Sequence, residues 1–594
     1  MQEMLASAHV QYVASCRSTF ANAFYHLSSD EIKALEANGN SAENWGLVRK
    51  TKKQLKLQTN RIRQCSFHGK VVLGDFSDFQ HDVDGVPFPC GVYNSTLSDV
   101  VVLDDALVKD TLVLKGVLVD AKASVLQCGS VVCAQETETV FGNGRVLHVG
   151  VETGGRNLRV VADLPFSLGA EVATKRGDLK FLETYDAIVD EYVAKIKAPM
   201  AIVAQNAQER TVVKTKSVIR DSIVQWNSTV ETLSVVEGSF LCDTSHVERH
   251  GVVMSSVIGP NTSIAEGEIT SSFVGPFVGF HHQALLIASI WPKGKGNIGY
   301  GANVGSNHTL KAPDQELFHG EGMFFGLGCN VKFPSNFVKA PYSVIATAVN
   351  TLPQLMTMPF ALINTPAHVI PSLSPAINEI SPGWVLSSSV YTVLRNDNKF
   401  RSRNKSKRTH IEAAIFRPEI VQYMKEARAD LEAAEGKARI QLANGEAVYT
   451  DKQVRGLGKN YMREASRRAG IEAYTFFIKL YALDALLPLV EGGSVSADGT
   501  VGNVDRSPYE LATLSEEVAP EKLIRECLND LASMRTDVVN KAADGKARDD
   551  ARGQGIIPDY KDVHPPAASE EVILQAQRTA TDIKHRVAAF VARV

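Results

Sequence analysis

The sequence lacks several features that define common classes of protein. No apolar run approaches the length of a membrane span, and the strongest, ALLIASIW at 284–291, is far too short. The eight cysteines are scattered without a CxxC pair, which favours reduced, mostly buried thiols over a disulfide framework. The N-terminus has no basic segment followed by a long apolar one, so we expect no signal peptide. Together these absences predict a cytoplasmic protein with no membrane partner.

The net charge is small, and the usual nucleotide-binding motifs are missing or lack their structural context. The net charge is only −3 over 594 residues, which gives no reason to expect a nucleic-acid partner. No GxxxxGK[ST] loop occurs, and HVERH at 246–250 is not the HExxH zinc helix. GKGNIG at 294–299 matches GxGxxG, but no long helix is predicted to follow it. The C-terminal ARV is close to a peroxisomal tripeptide, so a peroxisome-type organelle is an alternative location.

Aliphatic residues instead recur every six positions, which neither a helical period of 3.6 nor a strand period of 2 explains. The first series is Val101, Leu107, Val113, Val119, Val125 and Val131. The second is Val212, Val218, Val224, Val230 and Val236, followed by Cys242. Hexapeptide periodicity is typical of β-helices, in which each turn is a triangle of three short parallel strands. We therefore predict a mainly β fold with some α structure, a parallel β-helix built from hexapeptide repeats.

The glycine- and asparagine-rich stretch 296–316 falls into the same register. Residues 298–303 and 304–309 are successive hexapeptides of the form aliphatic, Gly, then four residues. Glycine and asparagine both suit tight corners, because they tolerate left-handed backbone angles. We therefore expect Asn303, Asn330 and Asn336 to turn corners between strands.

Changes in periodicity divide the chain into four predicted parts. Residues 1–85 form a mixed N-terminal cap, and 86–345 form the β-helix, with a helical insertion near 177–198. Residues 346–410 are predicted as an irregular linker, and 411–594 as an α-helical C-terminal region with apolar faces at helical spacing. The basic segment 396–410 is either a solvated linker or an arm that contacts an anion or an interface.

Candidate functional side chains concentrate between 275 and 337. His281, His282 and His308 lie in or beside the repeats, and a neutral imidazole is a natural general base near pH 7. Other polar residues of this region could bind a phosphorylated or sugar-nucleotide substrate or orient a histidine. These predicted substrate-binding residues are Lys293, Lys295, Asn303, Asn307, Lys311, Asp314 and Glu316.

The repeats of about 90–345 resemble the left-handed β-helix hexapeptide-repeat proteins, which include acyltransferases and the C-terminal halves of sugar-nucleotide pyrophosphorylases. GFHHQALLIASIWPKGKGNIGYGANVGSNHT at 279–309, with LEANGNSAENW at 35–45, is similar to an uncharacterised family of large hexapeptide-repeat proteins from bacteria and protists. The resemblance implies a left-handed helix, a homotrimer or dimer of trimers, and a site in the groove between neighbouring prisms. His281, His282 or His308 would match an acyltransferase-type base. No G-x-G-T-R signature of a nucleotidyltransferase occurs.

Three functions follow as hypotheses. The first is a transferase that moves an acyl or related group to a sugar or sugar nucleotide, for which an acyl-CoA is a compatible donor. The second is a non-catalytic assembly scaffold or regulatory binder, which the long helical C-terminus favours. The third is a zinc hydratase or hydrolase at a subunit interface, with ligands drawn from His281, His282, His308 and His319. The sequence favours no metal and identifies no cofactor.

Overall fold

The structure is a computed structural model that describes residues 24–52, 56–133, 144–150, 155–161, 164–195, 200–202, 212–305 and 315–591. It is a mixed α/β fold with long sheets of parallel strands and a helical C-terminal region. The chain divides into two compact units. Unit 1 comprises residues 1–319, 327–335 and 405–411, and unit 2 comprises 320–326, 336–404 and 412–594.

The strands are short. The first are β1 Tyr25–His26, β2 Ser41–Ala42, β3 Val48–Lys50, β4 Ile62–Arg63, β5 Ser66–His68, β6 Val71–Leu73, β7 Gln80–Val83, β8 Val86–Pro89, β9 Gly91–Tyr93, β10 Thr96–Ser98, β11 Val101–Val102 and β12 Leu107–Lys109. Next are β13 Val113–Lys115, β14 Val117–Val119, β15 Ser124–Leu126, β16 Ser130–Val132, β17 Arg145–His148, β18 Asn157–Val160, β19 Met200–Ile202, β20 Val212–Lys214, β21 Val218–Arg220, β22 Ile223–Val224, β23 Thr229–Val230 and β24 Val235–Glu237. Then follow β25 Phe240–Leu241, β26 His246–Glu248, β27 Val252–Met254, β28 Val257–Ile258, β29 Ser263–Ala265, β30 Glu268–Thr270, β31 Phe273–Val274, β32 Gly279–Phe280, β33 Leu285–Ile287, β34 Ser289–Trp291, β35 Asn297–Ile298 and β36 Asn303–Val304. The last are β37 Leu317–Phe318, β38 Phe324–Phe325, β39 Asn330–Val331, β40 Ser335–Asn336, β41 Val344–Ile345, β42 Asn350–Thr351, β43 Gln354–Leu355, β44 Leu362–Asn364, β45 Asn378–Ser381, β46 Ile440–Gln441, β47 Ala447–Tyr449 and β48 Asn460–Arg463.

Most of the helices follow the strands. They are α1 Ser29–Ala37, α2 Phe166–Thr174, α3 Leu179–Lys195, α4 Trp384–Ser388, α5 Val390–Arg403, α6 Pro418–Ala433, α7 Glu464–Asp484, α8 Leu486–Glu491, α9 Tyr509–Glu517, α10 Ile524–Gln554, α11 Tyr560–Val563 and α12 Glu571–Val591.

Unit 1 is built from three sheets of parallel strands that the chain visits in rotation. From β20 to β21 to β22 it passes through the three sheets in turn, and β23 then pairs with β20. Val213 pairs with Val230 and Val230 pairs with Val247, so these three valines mark successive full rotations. We call this arrangement the three-sheet coil, and we call the sheets that contain β22, β21 and β20 sheets 1, 2 and 3. Because pairing is in register, equivalent residues of successive turns form columns.

The interior of the coil is filled by one aliphatic or aromatic column from each sheet. Val213, Ile219 and Leu241 are completely buried, and so are their counterparts in the neighbouring turns. The predicted spacing of six therefore needs a correction. Val212 and Val218 are only partly buried, because the turn from Val213 to Val230 is slightly shorter than three hexapeptides and the inward positions shift accordingly.

A ladder of buried serines runs along one corner of the coil, between sheets 2 and 1. The backbone N–H groups of Ser239 and Ser256 each donate to the hydroxyl of the serine one turn earlier, at 3.0 and 3.1 Å. Ser272 and Ser289 continue the ladder at 3.0 and 3.2 Å. Small hydroxyl side chains thus satisfy buried N–H groups where the chain turns between sheets.

The limits of the coil differ from the predicted boundaries. Parallel pairing already joins β2 to β5 at Ser41 and Ser66, within the predicted N-terminal cap. The segment 346–410 is not irregular, since it contains strands β42 to β45 and helices α4 and α5. A hairpin of β17 and β18 and helices α2 and α3 interrupt the coil between β16 and β19, and α3 falls inside the predicted insertion near 177–198.

Unit 2 joins a few strands to a helical bundle. Strands β38, β41 and β44 pair in parallel, and β45 to β48 form a small mixed sheet. Tyr–Glu–Arg clusters hold the connections between the elements of unit 2. In one, the buried Glu321 carboxylate accepts from the Tyr342 hydroxyl at 2.6 Å and from Arg417 Nη1 at 3.0 Å. Charged hydrogen bonds of this kind satisfy a carboxylate that burial would otherwise destabilise.

One helical stretch in the described part of the chain, Glu464–Glu491, is long and apolar enough to cross a membrane by length and composition. Within unit 2, 56% of its most apolar window is buried. Tyr474 is completely buried there, and its hydroxyl donates to the carbonyl of Pro359 at 2.6 Å. Such packing is typical of the core helix of a bundle.

The close packing at one corner of the coil gives a first prediction, about stability. A Cβ at Gly275 would lie 2.4 Å from the backbone nitrogen of Gly294 and 2.6 Å from the carbonyl oxygen of Trp291, and neither atom can move alone. We expect Gly275→Ala to lower the free energy of unfolding by about 1–3 kcal/mol through this overpacking. At Gly177 an added Cβ meets nothing within 4 Å, so Gly177→Ala is the control. Equal urea midpoints for the two variants would contradict the packing of the corner.

Candidate functional site

The strongest candidate site lies at a corner of the coil between sheets 3 and 2. His282 follows β32, and both His282 and Gln283 have left-handed backbones, with φ of 61° and 57°. The N–H of His282 donates to the carbonyl of Ala265 at 3.1 Å, and the N–H of Gly301 donates to the carbonyl of His282 at 3.1 Å. Hydrogen bonds to the turns before and after therefore fix the backbone of His282.

The side chain of His282 forms a pair with Glu266, which lies at the same corner one turn earlier. His282 Nδ1 is 3.1 Å from Glu266 Oε2. An ionised carboxylate can only accept, so Nδ1 carries the proton and donates it to Glu266. The second nitrogen, Nε2, then keeps its lone pair, and 60% of the imidazole side chain is exposed. This arrangement suits a general base, because a carboxylate holds the ring in one tautomer.

Other side chains stand in the same column. Arg249 lies one turn before Glu266, and Tyr300 lies one turn after His282; both are exposed. The His281 ring is 5.9 Å from the His282 ring, measured between centroids, and is partly buried beside Gly279. We call Arg249, Glu266, His282 and Tyr300 the histidine corner.

Lys293 and Lys295 lie at another corner, between sheets 1 and 3. Lys293 is exposed, but Lys295 is buried, with 6% of its surface accessible. The backbone N–H of Lys295 donates to the carbonyl of Pro276 at 2.6 Å. Strand β35 separates this corner from Tyr300, so the turn does not bring Lys293 and Lys295 to the corner of His282.

Glu316 and Asn303, two further predicted substrate-binding residues, have structural roles. Arg156 holds Glu316 through two hydrogen bonds of 2.5 and 2.6 Å, so this carboxylate is already engaged. Asn303 is the first residue of β36 and pairs with Asn330 of β39, so neither turns a corner as predicted. Asn336 is likewise a strand residue, in β40. Asparagine is tolerated there because successive asparagines can stack in a ladder along parallel strands.

The remaining predicted residues cannot be compared with the structure. Asn307, His308, Lys311 and Asp314 lie outside the described residues. Sequence reasoning in turn missed Arg249, Glu266 and Tyr300. The signal that could have found them is their spacing from His282, because they lie at the same corner on successive turns of the coil.

His319 has a structural role and is not part of the histidine corner. Its Nε2 is 3.0 Å from the hydroxyl of Ser289, and its ring is 5.2 Å from that of Trp291. The Ser289 hydroxyl donates to the carbonyl of Ile287, so it accepts from His319 Nε2, which ends the serine ladder. His319 therefore does not join His281 and His282 as a zinc ligand. Among the described residues, no group of three His, Cys, Asp or Glu side chains could hold a metal ion.

Part of the basic segment 396–410 packs on the coil within unit 1, as the interface alternative expects. The Asp243 carboxylate accepts from the Ser406 hydroxyl at 2.9 Å and from the N–H of Lys407 at 3.2 Å. The Arg408 guanidinium lies over the Trp226 ring, 3.6 Å from its centroid. Burial raises the pKa of Asp243, and the hydrogen bonds from Ser406 and Lys407 oppose that increase. These contacts fix residues 405–411 against one corner of the coil.

Part of the chain is similar to a family of unknown function. Residues 24–218 match the model of a family described as "Domain of unknown function (DUF4954)". An uncharacterized protein from Treponema pallidum (strain Nichols) is 26% identical over 187 residues. The aligned region covers 31% of this chain and 25% of that relative. The family match includes the first turns of the coil and ends before the histidine corner.

The buried His319 gives a prediction for acid stability. Burial lowers the pKa of His319 to about 3, whereas an unfolded histidine titrates near pH 6.5. The unfolded chain therefore takes up the proton first, so stability is complete above about pH 6.5 and is lost as the pH falls towards 3. We expect His319→Gln to remove up to about 1.4 kcal/mol per pH unit of this slope. Urea unfolding between pH 7.5 and 5 measures it, with the exposed His250→Asn as control. Parallel curves for His319→Gln and the unmodified chain would contradict this account.

The contacts of Asp243 give a third prediction. Asp243→Ala removes the acceptor of two hydrogen bonds, so we expect the attachment of residues 405–411 to weaken by about 1–3 kcal/mol. Faster trypsin cleavage after Lys405, Lys407 or Arg408 reports that weakening. Asp243→Asn retains one amide oxygen as an acceptor and should be cleaved more slowly than Asp243→Ala. Identical cleavage rates for the unmodified chain and Asp243→Ala would show that these bonds do not hold the segment.

Proposed function

We propose that this protein is a hexapeptide-repeat transferase that acts on a sugar or sugar nucleotide, with acyl transfer as its reaction. The proposal includes the fold: the three-sheet coil is a left-handed parallel β-helix. Its support is the rotation of the chain through three parallel sheets, in which Val213, Val230 and Val247 stand on successive turns. Repeat coils of this type expose columns of corner side chains that can build a site.

The His282–Glu266 pair is the observation that carries the proposed reaction. Nε2 of His282 removes the proton from an acceptor hydroxyl or amine, while Nδ1 donates to Glu266. The freed lone pair attacks the carbonyl carbon of an acyl thioester, such as an acyl-CoA. The carbon–sulfur bond then breaks, and the departing thiolate takes the proton from His282. Glu266 positions the ring and stabilises the imidazolium that forms between these steps.

The proposed site is completed by a neighbouring copy, in a homotrimer or a dimer of trimers. On one chain the histidine corner is open, with Arg249 and Tyr300 exposed on either side of the pair. Arg249, rather than the buried Lys295, is the cation best placed for a phosphate of the substrate, because it shares the corner with His282. A cytoplasmic location is part of the proposal, and the cysteines of the described residues, all free thiols, support it.

A non-catalytic scaffold or regulatory binder is the second candidate. The observation that favours it is the engagement of predicted ligand residues in structural contacts. Glu316 is paired with Arg156, and Lys295 is buried. A protein of this kind would keep the coil for assembly and bind a small molecule without turning it over.

Substitution at the histidine corner tests the transferase. With acetyl-CoA and a panel of UDP-sugars, we expect His282→Asn to lower kcat by at least about 100-fold, because the general base is lost. Glu266→Gln should lower it by about 10-fold, because the neutral amide no longer stabilises the imidazolium that forms during the reaction. Release of the CoA thiol, followed with a thiol-reactive dye, measures both effects. Asparagine is used because it tolerates the left-handed backbone at His282.

His250 provides a matched control for that experiment. It is an exposed corner histidine with a similar left-handed backbone, at φ 64°, but outside the pair. His250→Asn should keep the activity of the unmodified chain. Activity that survives in His282→Asn would exclude His282 as the base. No thiol release with any UDP-sugar, together with saturable binding of one of them, would favour the non-catalytic binder.

A further inference from the structure

A cavity in the helical bundle of unit 2 shares no lining residue with the histidine corner and has no part in the proposed reaction. Its volume is about 400 Å³, within the range of small-molecule sites. Helices α5, α7, α9 and α10 and the segment 414–416 form its walls. A second chamber of about 150 Å³ is bounded by α5, α10 and α12. Leu394, Asp397, Arg401, Arg535 and Val538 line both chambers.

The larger chamber has an apolar wall that packing holds in place. Phe416 and Phe477 line it and are the last two rings of a stacked column that begins with Tyr342 and Phe360. Successive ring centroids are 5.3, 5.8 and 5.3 Å apart, with interplanar angles of 11°, 21° and 13°. A wall fixed in this way binds an apolar ligand without first having to order its own side chains.

Two arginines stand where the chambers meet. Arg401 uses Nε and Nη2 to hold the Asp397 carboxylate, at 3.0 and 3.1 Å. Arg535 uses the same two nitrogens to hold Asp484, with Nε at 3.1 Å. These pairs engage both oxygens of each carboxylate, and the third acid of the cavity, Glu510, accepts from the Tyr481 hydroxyl at 2.8 Å. Within the described residues, the Nη1 groups of both arginines take no part in these two pairs, and Glu412 is a further acid that acts on Arg401.

We propose that this cavity binds a small amphipathic carboxylate, with its apolar chain against Phe416 and Phe477 and its head group at Arg401 and Arg535. The acids already accept from an arginine or a tyrosine, whereas each guanidinium has five N–H donors and uses two of them on its partner. The ligand therefore finds unused donors at the charged end and an apolar wall at the other. A carboxylate also matches the planar geometry of a guanidinium.

Titration of the full chain with sodium decanoate tests the proposal, with decylammonium and decanol as probes of the head group. We expect decanoate to bind saturably at one site per chain, and both other probes to bind at least tenfold more weakly. Arg401→Gln should weaken decanoate binding about tenfold, because a charged hydrogen bond is lost. Arg403→Gln, on the same helix but outside both chambers, should leave the affinity unchanged.

A second variant tests the apolar chamber. Ala485 lines the larger chamber, so Ala485→Leu should reduce its volume and weaken decanoate binding by a similar factor. If circular dichroism shows that Ala485→Leu does not fold, Arg401→Gln decides alone. Tighter binding of decylammonium than of decanoate would overturn the assignment of charge. Decanoate binding that is absent, or that Arg401→Gln leaves unchanged, would overturn the site itself, whatever the outcome at the histidine corner.

Discussion

Each turn of the three-sheet coil stacks in register on the turn before it, and the properties of unit 1 depend on this stacking. A side chain has the same neighbours one turn earlier and one turn later, so each position becomes a column. The inward columns fill with aliphatic and aromatic side chains, which remove apolar surface from water along the whole coil. Successive turns need not be equal in length: Val247 pairs with Ile264, 17 residues on, and Ile264 pairs with Phe280, 16 residues on, so the corners absorb the difference and the inward column is kept. Functional groups can therefore accumulate only at corners and outward positions.

The corners must satisfy the backbone groups that strands leave unpaired. The serine ladder does so on one corner by accepting N–H groups from successive turns, and His319 ends that ladder as a donor to Ser289. On another corner Glu266 and His282 have left-handed backbones, and their side chains meet across one turn at the surface. Corners of the coil thus carry a buried structural column on one edge and a surface pair of titratable groups on another. The difference lies in the size and charge of the side chains.

Unit 2 depends on a different device, the burial of charge among aromatic rings. Glu379 accepts from Tyr461 and Arg463 at 2.8 and 2.7 Å, and Glu464 accepts from Tyr449 and Arg467, at 2.8 Å in both cases. The Glu379 cluster joins β45 to β48, and the Glu464 cluster joins β47 to the start of α7. Loss of one partner from such a cluster is costly, because it leaves a buried polar group without its hydrogen bond.

By itself the sequence determined the repeat, because a period near six is incompatible with helices and simple strands. It also determined the helical character of the C-terminal region. Only the tertiary structure decided which residues meet. Val212 and Val213 are both valines, and the length of the closed turn decides which one faces inward. Glu266 and His282 follow different strands and are 16 residues apart in the chain. Only the stacking of successive turns brings Glu266 Oε2 within 3.1 Å of His282 Nδ1. In the sequence, Lys295 and Glu316 are equally plausible ligand-binding residues. In the structure Lys295 is buried, and Glu316 is hydrogen-bonded to Arg156. The local sequence pattern sets the period of the repeat, whereas contacts between distant residues form only once each turn of the coil has closed.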